Sequence, residues 1–334
     1  MRWTIKPKPD PIKVARLSQE LAVDLTTSFL LAQRGIETFE EAKNFFRPDL
    51  HDLHDPFLMK DMEKAVARIE EAVENQENIL VYGDYDVDGT TSVALMSSYL
   101  LSFYLNVATY IPDRYDEGYG ISYKGIDFAE NNNFSLIIAL DCGIKAIDKV
   151  AYATKKGVDF IICDHHRPGA EIPKAKAVLD PKQEDCEYPF KELCGCGVGF
   201  KLIQALASKK GETINDLVLY LDLVATAIGA DIVPIVGENR ILAYHGLKVI
   251  NENPRPGFEA ILKQVKKEKL TITDVVFIIA PRINAAGRMK HGNHAVTLLC
   301  ETDINLAAEY AIDIETYNTD RRDADKRITI DALA

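Results

Sequence analysis

The amino-acid sequence predicts an α/β protein: a doubly wound, mostly parallel sheet with a helical N-terminal lead, a helical subdomain and a long C-terminal helix. Five short apolar runs of strand length alternate with helical stretches between residues 76 and 190, as in parallel sheets that are covered on both faces. Amphipathic helices precede these runs, and the pattern after them is almost entirely helical. Together these observations exclude an all-β fold.

The helical lead is expected over residues 1–75. Apolar residues recur at helical spacing in LSQELAVDLTTSFLLAQRG, and Gly35 suits the end of this helix. A short helix is expected from Thr38 to Phe46, and a third helix, DMEKAVARIEEAVEN, from Asp61 to Asn75. This lead ends just before the first apolar run.

The parallel α/β domain is expected over residues 76–190. The predicted strands are ILVY (79–82), ATYIP (108–112), LIIAL (136–140), FIIC (160–163) and AVLD (177–180). Between them, TTSVALMSSYLLSFY, SYKGIDFAEN and AIDKVAYATKKG are expected to be helices. This alternation of strand and helix is typical of a doubly wound sheet.

The remaining chain is expected to form a helical subdomain that completes the active site (191–302) and a long connecting helix (303–334). The subdomain helices are predicted in VGFKLIQALASKK, INDLVLYLDLVATAIG, ENRILAYHGLKVIN and PGFEAILKQVKK. The last helix ends in ITIDALA without a capping glycine or proline, which suggests a fragment of a longer protein.

Composition limits the class of protein. The chain has 334 residues, of which 47% are hydrophobic and 27% charged, as in soluble globular proteins of two or more domains. It contains no apolar run of bilayer length and no signal-peptide core, so we expect a cytoplasmic protein without a membrane partner. The six cysteines are scattered, which favours reduced thiols. Cys194 and Cys196 are too close for a zinc knuckle and are interpreted as small buried residues beside a turn.

The net charge of −12 argues against nucleic-acid binding through bulk electrostatics, because domains of that kind are usually basic. It does not exclude a nucleic-acid enzyme. Carboxylates that hold metal ions add negative charge, while a local groove of Arg and Lys can still bind phosphates.

Three aspartates follow the first predicted strand in GDYDVDG, at Asp84, Asp86 and Asp88. In an extended chain, alternate side chains point the same way, so these carboxylates would repel one another at one side of the strand end. A calcium loop of the EF-hand type begins similarly, but its twelfth position would be Leu95, inside an apolar helix, instead of a glutamate. The calcium-loop interpretation is therefore excluded.

Three more segments bring polar groups to the carboxyl ends of strands or to a helical turn. LIIAL ends in Asp141, FIIC ends in Asp164, His165 and His166, and AIGADIVP contains Asp231. Each alone is weak evidence, because an aspartate after a strand is commonly a helix cap or turn former. Together they supply the oxygen and imidazole ligands that a pair of Mn²⁺ or Mg²⁺ ions requires, with Mn²⁺ favoured. The sequence therefore predicts a two-metal phosphoesterase.

The four segments, in this order, resemble the DHH phosphoesterase superfamily, whose motif appears here as Asp164-His165-His166. Within it the chain is similar to the single-strand-specific 5′ to 3′ DNA exonucleases. That similarity covers essentially the whole chain and includes the N-terminal lead, CGVGFKLIQAL, YLDLVATAIGADIVPIVGENR and APRINAAGRM. Tyr82 stands where the pyrophosphatase-like members carry a metal-binding histidine. The domains that usually follow in these exonucleases are not expected in this sequence.

The resemblance implies a catalytic set of five metal ligands. Asp86 and Asp88 would bind different ions, Asp141 would bridge the two ions, His165 would complete the second, and Asp231 would be the remaining carboxylate. The attacking group is expected to be a water that the ions activate.

Further residues are assigned around this set. Asp84 would be an extra metal ligand or a carboxylate that supports the ligands, and Asp164 and His166 would orient ligands or contact phosphate. Asp222 is a rival for Asp231, which we prefer because it follows a Gly-Ala turn instead of lying within a helix.

The resemblance also implies a DNA-binding segment, APRINAAGRM, with Arg282, Asn284 and Arg288 as the expected contacts. Arginine presents a planar set of donors that suits phosphate oxygens.

The resemblance thus implies an exonuclease that acts on single-stranded DNA in recombination and repair, with a single-stranded-DNA-binding protein and a helicase as further partners. Two alternatives stay open. One is a DHH-type phosphoesterase that cuts short oligonucleotides or cyclic dinucleotides, and the other is a DNA-binding scaffold without activity.

Overall fold

The computed structural model describes residues 4–265, 267 and 269–333, so the first three residues of the predicted lead and the last residue of the predicted terminal helix lie outside it. The chain divides into two compact units, one that ends at Leu53 and one that begins at His54. The division at residues 75, 190 and 302 stays a prediction. Within the described ranges, no helix has both the length and the apolar character that crossing a bilayer requires.

The first unit is helical, as predicted, but its first predicted helix is two helices. The unit contains α1 (Pro11–Leu21), α2 (Leu25–Ala32) and α3 (Phe39–Phe46). Ala22 ends α1 in the left-handed region, at φ 53°, and the Asp24 side chain accepts a hydrogen bond from Thr27 N at the start of α2. The unit has its own small apolar core of Leu17, Leu31, Ile36 and Ala42.

The second unit is built around one sheet, in which every pairing between the described strands is parallel. The strands are β1 (Asn78–Gly83), β2 (Val107–Tyr110), β3 (Phe134–Leu140), β4 (Asp159–Cys163) and β5 (Ala177–Leu179), and their order is β2-β1-β3-β4-β5. The fold class and the positions of these strands are as predicted. The reversal of strand order beside β1 and β3 brings the carboxyl ends of both strands to one crevice, where open α/β sheets bind ligands.

Helices cover both faces of the sheet, because alternate residues of each strand point to opposite sides. On one face, Leu80, Ile137 and Phe160 pack with apolar residues of the helices that follow β2 and β3. On the other face, the helix that follows β1 is buried along nearly its whole length. The helices of this unit up to residue 209 are α4 (Met62–Glu74), α5 (Val87–Leu101), α6 (Tyr123–Asn131), α7 (Ile147–Lys155) and α8 (Gly195–Lys209).

The remaining helices pack mainly on α5, α8 and one another. The predicted helix over 214–229 is instead a 3₁₀ segment, Ile214–Tyr220, followed by an α-helix from Leu221. The helices are α9 (Leu221–Ala230), α10 (Gly237–Glu252), α11 (Pro256–Val265), the short α12 (Ile272–Asp274) that leads into π-helical Val275–Ile279, α13 (Ala280–Met289), α14 (Asn293–Cys300) and α15 (Ile304–Leu333).

A buried ion pair joins α8 to the start of α10. Lys201 of α8 and Glu238 of α10 are 0% and 1% exposed, and the Lys201 ammonium donates to Glu238 Oε1 at 3.1 Å and to the His54 carbonyl oxygen at 2.6 Å. The other carboxylate oxygen of Glu238 accepts from the Tyr188 hydroxyl at 2.6 Å. Burial lowers the pKa of Lys201, while the Glu238 charge opposes this. Because both charges are withdrawn from water, each depends on its partner.

The next residue, Asn239, joins two loops. Its buried side-chain amide donates to the carbonyl oxygens of Glu192 and Pro234. Glu192 lies just before α8, and Pro234 lies in the loop between α9 and α10. Glu238 and Asn239 therefore fix the position of the start of α8 relative to the loop after α9.

We expect Lys201→Met to lower the free energy of unfolding by about 3–5 kcal/mol, because Glu238 would stay buried without its cation. Urea denaturation followed by circular dichroism measures this change. The control is Lys263→Met, which removes the exposed partner of Glu259 on α11 and should cost less than about 0.5 kcal/mol. Equal losses in the two variants would contradict the importance assigned to the buried pair.

Candidate metal centre

The aspartate loop turns directly from strand to helix. β1 ends at Gly83, Asp86 is the N-cap of α5, and Asp88 lies in the first turn of that helix. The expectation of three carboxylates on one extended strand is therefore wrong, because the chain becomes helical after Asp86. Gly89 makes this turn possible, since a Cβ at Gly89 would overlap the backbone of Asp84.

Asp88 and Asp84 are buried and held by backbone N–H groups. Asp88 accepts from Gly195 N and Cys196 N, both at 2.7 Å, so it caps the start of α8. Asp84 accepts from Tyr85 N and Gly120 N, both at 2.7 Å. Both oxygens of each of these two carboxylates thus accept from the backbone, and the two predicted roles of Asp84 stay predictions.

Asp141 follows β3 with an unusual backbone conformation. Its φ of 58° lies in the left-handed region, which aspartate tolerates better than most residues. Its side chain is buried, and its Oδ1 atom accepts no hydrogen bond from the described residues. Gly195 lies so close that a Cβ there would be 2.5 Å from Asp141 Cβ. The start of α8 therefore contacts both Asp141 and Asp88.

The two histidines after β4 are oriented by Asp164. Asp164 Oδ1 accepts from His165 N, from His166 N and from the His166 ring at 2.7, 3.0 and 2.8 Å, and Oδ2 accepts from Ile144 N at 2.9 Å. Burial acts to raise the pKa of Asp164, but the hydrogen bond and charge of His166 hold it below its ordinary value. Asp164 is thus ionised, and it holds the His166 imidazole and the backbone N–H groups of both histidines.

His165 lies at the centre of the carboxylates. Its Nε2 atom is 3.2 Å from Asp141 Oδ1, 3.7 Å from Asp231 Oδ2 and 3.8 Å from Asp88 Oδ2. Burial lowers the pKa of His165 to about 4, so the ring is neutral at neutral pH. A neutral imidazole is the form that binds metal ions.

The carboxylates around His165 resist ionisation. Burial, followed by the charges of Asp231 and Asp86, raises the pKa of Asp88 to about 8. Burial and the Asp86 charge raise the pKa of Asp231 to about 6, and burial and the Asp88 charge raise that of Asp141 well above its ordinary value. A bound cation would reverse this effect, because it would stabilise the charged forms.

Two overlapping groups of side chains could hold metal ions in the described part of the chain. One consists of Asp141, His165 and His166, and the other of Asp88, His165 and Asp231, with the ligand atoms of each group within 4.8 Å of one another. His165 is the member common to both groups. Asp86 belongs to neither group. Its oxygens accept from Gly89 N at 2.9 Å and from the Tyr119 hydroxyl at 3.2 Å.

The rival aspartates have different surroundings. Asp222 is fully buried in α9 and forms a bidentate pair with Arg255, at 2.7 and 2.8 Å. Asp231 is the C-cap of α9, with 33% of its side chain exposed. The preceding Gly-Ala belongs to the helix, so the predicted turn there is wrong. The geometry nevertheless supports the preference for Asp231, because only Asp231 faces His165.

The predicted DNA-binding residues lie on α13, next to the aspartate loop. A Cβ at Gly287 would be 2.6 Å from the Tyr85 carbonyl oxygen, so this helix packs directly on the loop. Arg288 is exposed, and its carbonyl oxygen accepts from the Tyr115 hydroxyl at 3.0 Å. Arg282 is instead paired with Glu315 of α15 at 2.6 Å, and Asn284 is half-buried.

Sequence reasoning missed the contribution of the segment around Gly195. The sequence interprets Cys194 and Cys196 as small buried residues beside a turn, whereas the structure also shows Gly195 N and Cys196 N donating to Asp88. The glycine spacing of this segment was the available signal, since closely spaced glycines mark close approach of the backbone. Tyr119 and Asn239 were also missed, and no motif marked either residue.

Comparison with known proteins identifies the family. The model described as DHH family, N-terminal domain, matches residues 78–228. The single-stranded-DNA-specific exonuclease RecJ of Bacillus subtilis (strain 168) is 40% identical over 335 residues, which cover 100% of this chain and 42% of that protein. A crystal structure of exonuclease RecJ bound to manganese matches with a TM-score of 0.76 at 31% identity, over 84% of this chain and 70% of the other. The chain belongs to the RecJ family.

A second RecJ structure, from Thermus thermophilus in complex with Mn²⁺, matches with a TM-score of 0.83 at 27% identity, over 96% of this chain and 46% of that chain. The predicted resemblance to the single-strand-specific DNA exonucleases of the DHH superfamily and the predicted fold class are confirmed. The chain spans less than half the length of the Bacillus subtilis RecJ that it matches.

We expect Gly195→Ala to lower the affinity for Mn²⁺ at least about tenfold, because the added methyl would displace Asp141 and loosen the N–H groups that hold Asp88. Isothermal titration calorimetry measures the affinity. Gly169→Ala is the matched control, since its Cβ would meet nothing closer than 3.6 Å. Unchanged affinity in a folded Gly195→Ala protein would contradict the role of the start of α8 in positioning Asp88 and Asp141.

Asp231→Asn should change metal affinity, whereas Asp222→Asn should change stability. The first should weaken Mn²⁺ binding at least about tenfold without lowering the stability of the metal-free protein, because it relieves repulsion in the cluster. The second should cost about 3–5 kcal/mol of unfolding free energy, because Arg255 would lose its buried partner. Calorimetry and urea denaturation separate the two outcomes. If Asp222→Asn lost metal affinity at unchanged stability, the preference for Asp231 would be wrong.

Proposed function

We propose that the chain carries the catalytic core of a metal-dependent exonuclease that removes nucleotides from the 5′ end of single-stranded DNA in recombination and repair. One observation supports this above all others. Asp88, Asp141 and Asp231 form two overlapping ligand groups with His165 and His166, in a chain 40% identical to a protein named single-stranded-DNA-specific exonuclease RecJ. Hydrolysis of a phosphodiester bond is the reaction that such paired sites suit.

The residues present fit two divalent ions, with Mn²⁺ preferred and Mg²⁺ possible. Asp141 Oδ1 is buried without a hydrogen-bond partner among the described residues, and the carboxylates beside it have raised pKa values. The donors are carboxylate oxygens and imidazole nitrogen, without thiolate, which suits these ions better than structural zinc. We propose Asp86, Asp88, Asp141, His165 and Asp231 as the ligands.

When bound, the ions would supply the positive charge that activates water and neutralises the phosphate. The chain's own residues hold the proposed ligands in position. Asp164 accepts from the backbone N–H of His165, and Gly195 N and Cys196 N hold Asp88. His166, half-exposed and paired with Asp164, has a raised pKa, chiefly because of that hydrogen bond. A protonated His166 can donate to a phosphate oxygen at the mouth of the site.

For the DNA strand, Arg288 is the better candidate of the two arginines. It is exposed beside the aspartate loop, whereas Arg282 is already paired with Glu315. We propose that Arg288 and Asn284 contact the strand, and that Arg282 fixes α13 to α15 and contacts phosphate only if Glu315 is displaced.

The proposed substrate implies partners and a location. A helicase would supply single strands from duplex DNA, and a single-stranded-DNA-binding protein would cover the same strands. On this basis we place the protein in the cytoplasm.

The assay uses the purified protein with Mn²⁺ on single-stranded DNA labelled at either end. A 5′ label should appear at once as mononucleotide, and a 3′ label should give a descending ladder, while blunt duplex stays intact. Asp141→Asn should lower the rate at least about a hundredfold, because it removes a buried charge from the ligand set. Asp331→Asn, exposed near the end of α15, is the control.

Cleavage of a dinucleotide without cleavage of the longer strand would overturn the exonuclease proposal in favour of the small-substrate phosphoesterase. Turnover of neither substrate would favour the scaffold.

A further inference from the structure

Tyr82, the penultimate residue of β1, is fully buried, and its side chain reaches the loop between β2 and α6 (residues 111–122). Its hydroxyl donates to the Gly120 carbonyl oxygen at 2.9 Å and accepts from Ser122 N at 3.1 Å. Burial raises the pKa of Tyr82 above its ordinary value, so the hydroxyl keeps its proton and can donate at neutral pH. One side chain of the central sheet thus holds the backbone of the β2–α6 loop at two points.

The same loop contacts two carboxylates of the aspartate loop. Gly120 N donates to Asp84 Oδ2 at 2.7 Å, and the Tyr119 hydroxyl donates to Asp86 Oδ2 at 3.2 Å. Both backbone polar groups of Gly120 are therefore engaged, since its N–H is bound to Asp84 and its carbonyl oxygen to Tyr82. A displacement of this glycine would move the donors of both carboxylates.

The local backbone alone does not fix Tyr119. It lies between Gly118 and Gly120, at φ 83° and 81°, and a Cβ on either glycine would meet no described atom within 4 Å. Glycines leave the backbone free to change conformation, so the position of Tyr119 depends on what holds the loop on each side. On one side the Asp113 carbonyl oxygen accepts from Gly118 N at 3.2 Å, and on the other side the anchor is Tyr82.

The Tyr82 ring has little freedom to follow the loop. It stacks on the Tyr110 ring with centroids 5.3 Å apart, and a Cβ at Gly125 would be 2.6 Å from its Cε2 atom. Glu117 accepts from the hydroxyls of Tyr110 and Ser122. Because the ring is enclosed on these sides, its hydroxyl is a fixed point to which the loop is attached.

We propose that Tyr82 is a positioning residue for the metal centre, which acts through Gly120 and Tyr119 on the carboxylates of Asp84 and Asp86. The inference rests on the proposed function, in which Asp86 is a metal ligand. Tyr82 contacts neither the ions nor the DNA in this role. Its hydroxyl fixes the loop whose donors hold the two carboxylates in the orientation that metal binding requires.

The test measures the affinity of Tyr82→Phe for Mn²⁺ by isothermal titration calorimetry in the absence of DNA. This variant keeps the ring and removes only the hydroxyl, so Gly120 and Ser122 lose their partner and the loop shifts. We expect the affinity to fall about tenfold, as for other groups that orient metal ligands. The Mn²⁺ concentration that gives half-maximal cleavage of single-stranded DNA should rise by the same factor, while kcat at saturating Mn²⁺ changes less.

Tyr104→Phe is the matched control. The buried hydroxyl of Tyr104 also donates to the backbone, at the Glu77 carbonyl oxygen just before β1, which is the end of the sheet opposite the carboxylates. Both variants should lose thermal stability to a similar extent, but Tyr104→Phe should bind Mn²⁺ as tightly as the wild-type protein. A purely structural contribution of Tyr82 would give the two variants the same affinity.

A double-mutant cycle tests the connection through Tyr119. Its side chain is 51% exposed, so Tyr119→Phe should fold normally and lose Mn²⁺ affinity because Asp86 loses a donor. If Tyr82 acts through Tyr119, the double variant should lose less affinity than the product of the two single losses. An unchanged affinity in Tyr119→Phe would overturn the inference even if Tyr82→Phe did not fold.

The inference is also overturned if folded Tyr82→Phe binds Mn²⁺ as tightly as the wild-type protein, if Tyr104→Phe loses as much affinity, or if the losses in the cycle simply multiply. The proposed function is tested separately, because Mn²⁺ binding is measured without DNA. A wild-type protein that cleaves no single-stranded DNA, with the expected order of Mn²⁺ affinities among the variants, would refute the exonuclease and leave the role of Tyr82 intact.

Discussion

The crowding of carboxylates around one buried imidazole is the constraint on which the rest of this structure depends. Asp88, Asp141 and Asp231 all have an oxygen within 3.8 Å of His165 Nε2. Burial and mutual repulsion oppose their ionisation, so the arrangement persists only because each group is fixed by its surroundings. Backbone N–H groups hold Asp88, and Asp164 holds the backbone of His165. The carboxyl ends of parallel strands supply Asp141 and the histidines at one edge.

The support for the cluster extends into the helical part. The start of α8 contacts Asp88 and Asp141, and the loop after α9 carries Asp231. Asn239 donates to the backbone just before α8 and to the backbone of the loop after α9. The adjacent Glu238 pairs with Lys201 of α8. Two neighbouring residues of α10, remote from the reacting atoms, thus determine how the ligands from two segments meet. A buried ion pair contributes little net stability, so its value here is geometric.

The sequence was sufficient for the sheet and for the meeting of Asp88, Asp141 and Asp231 with His165, but it also included Asp86, which belongs to neither ligand group. Continuous apolar runs marked the five strands, and the rule that parallel strands end at one edge brought Asp141 and His165 together correctly. The sequence was insufficient where backbone atoms hold the carboxylates in position. Gly195 N and Cys196 N have no residue-type signature, and the start of α5 after Asp86 depends on the close approach of Gly89. The sequence does not distinguish Lys201 from an exposed helical lysine, because its burial arises from tertiary packing.

The left-handed backbone of Asp141 restricts which sequences can inherit this centre. The position must accept φ 58° and, with the metal-binding role proposed for Asp141, must also carry a short acidic side chain; among the common residues aspartate alone meets both conditions at low cost. Glycine and asparagine satisfy the backbone but not the charge, and glutamate supplies the charge but not the conformation. Nearly every substitution of Asp141 is therefore expected to be unfavourable. A design that places this centre in another parallel sheet has to include the left-handed backbone at Asp141 as well as the side chains.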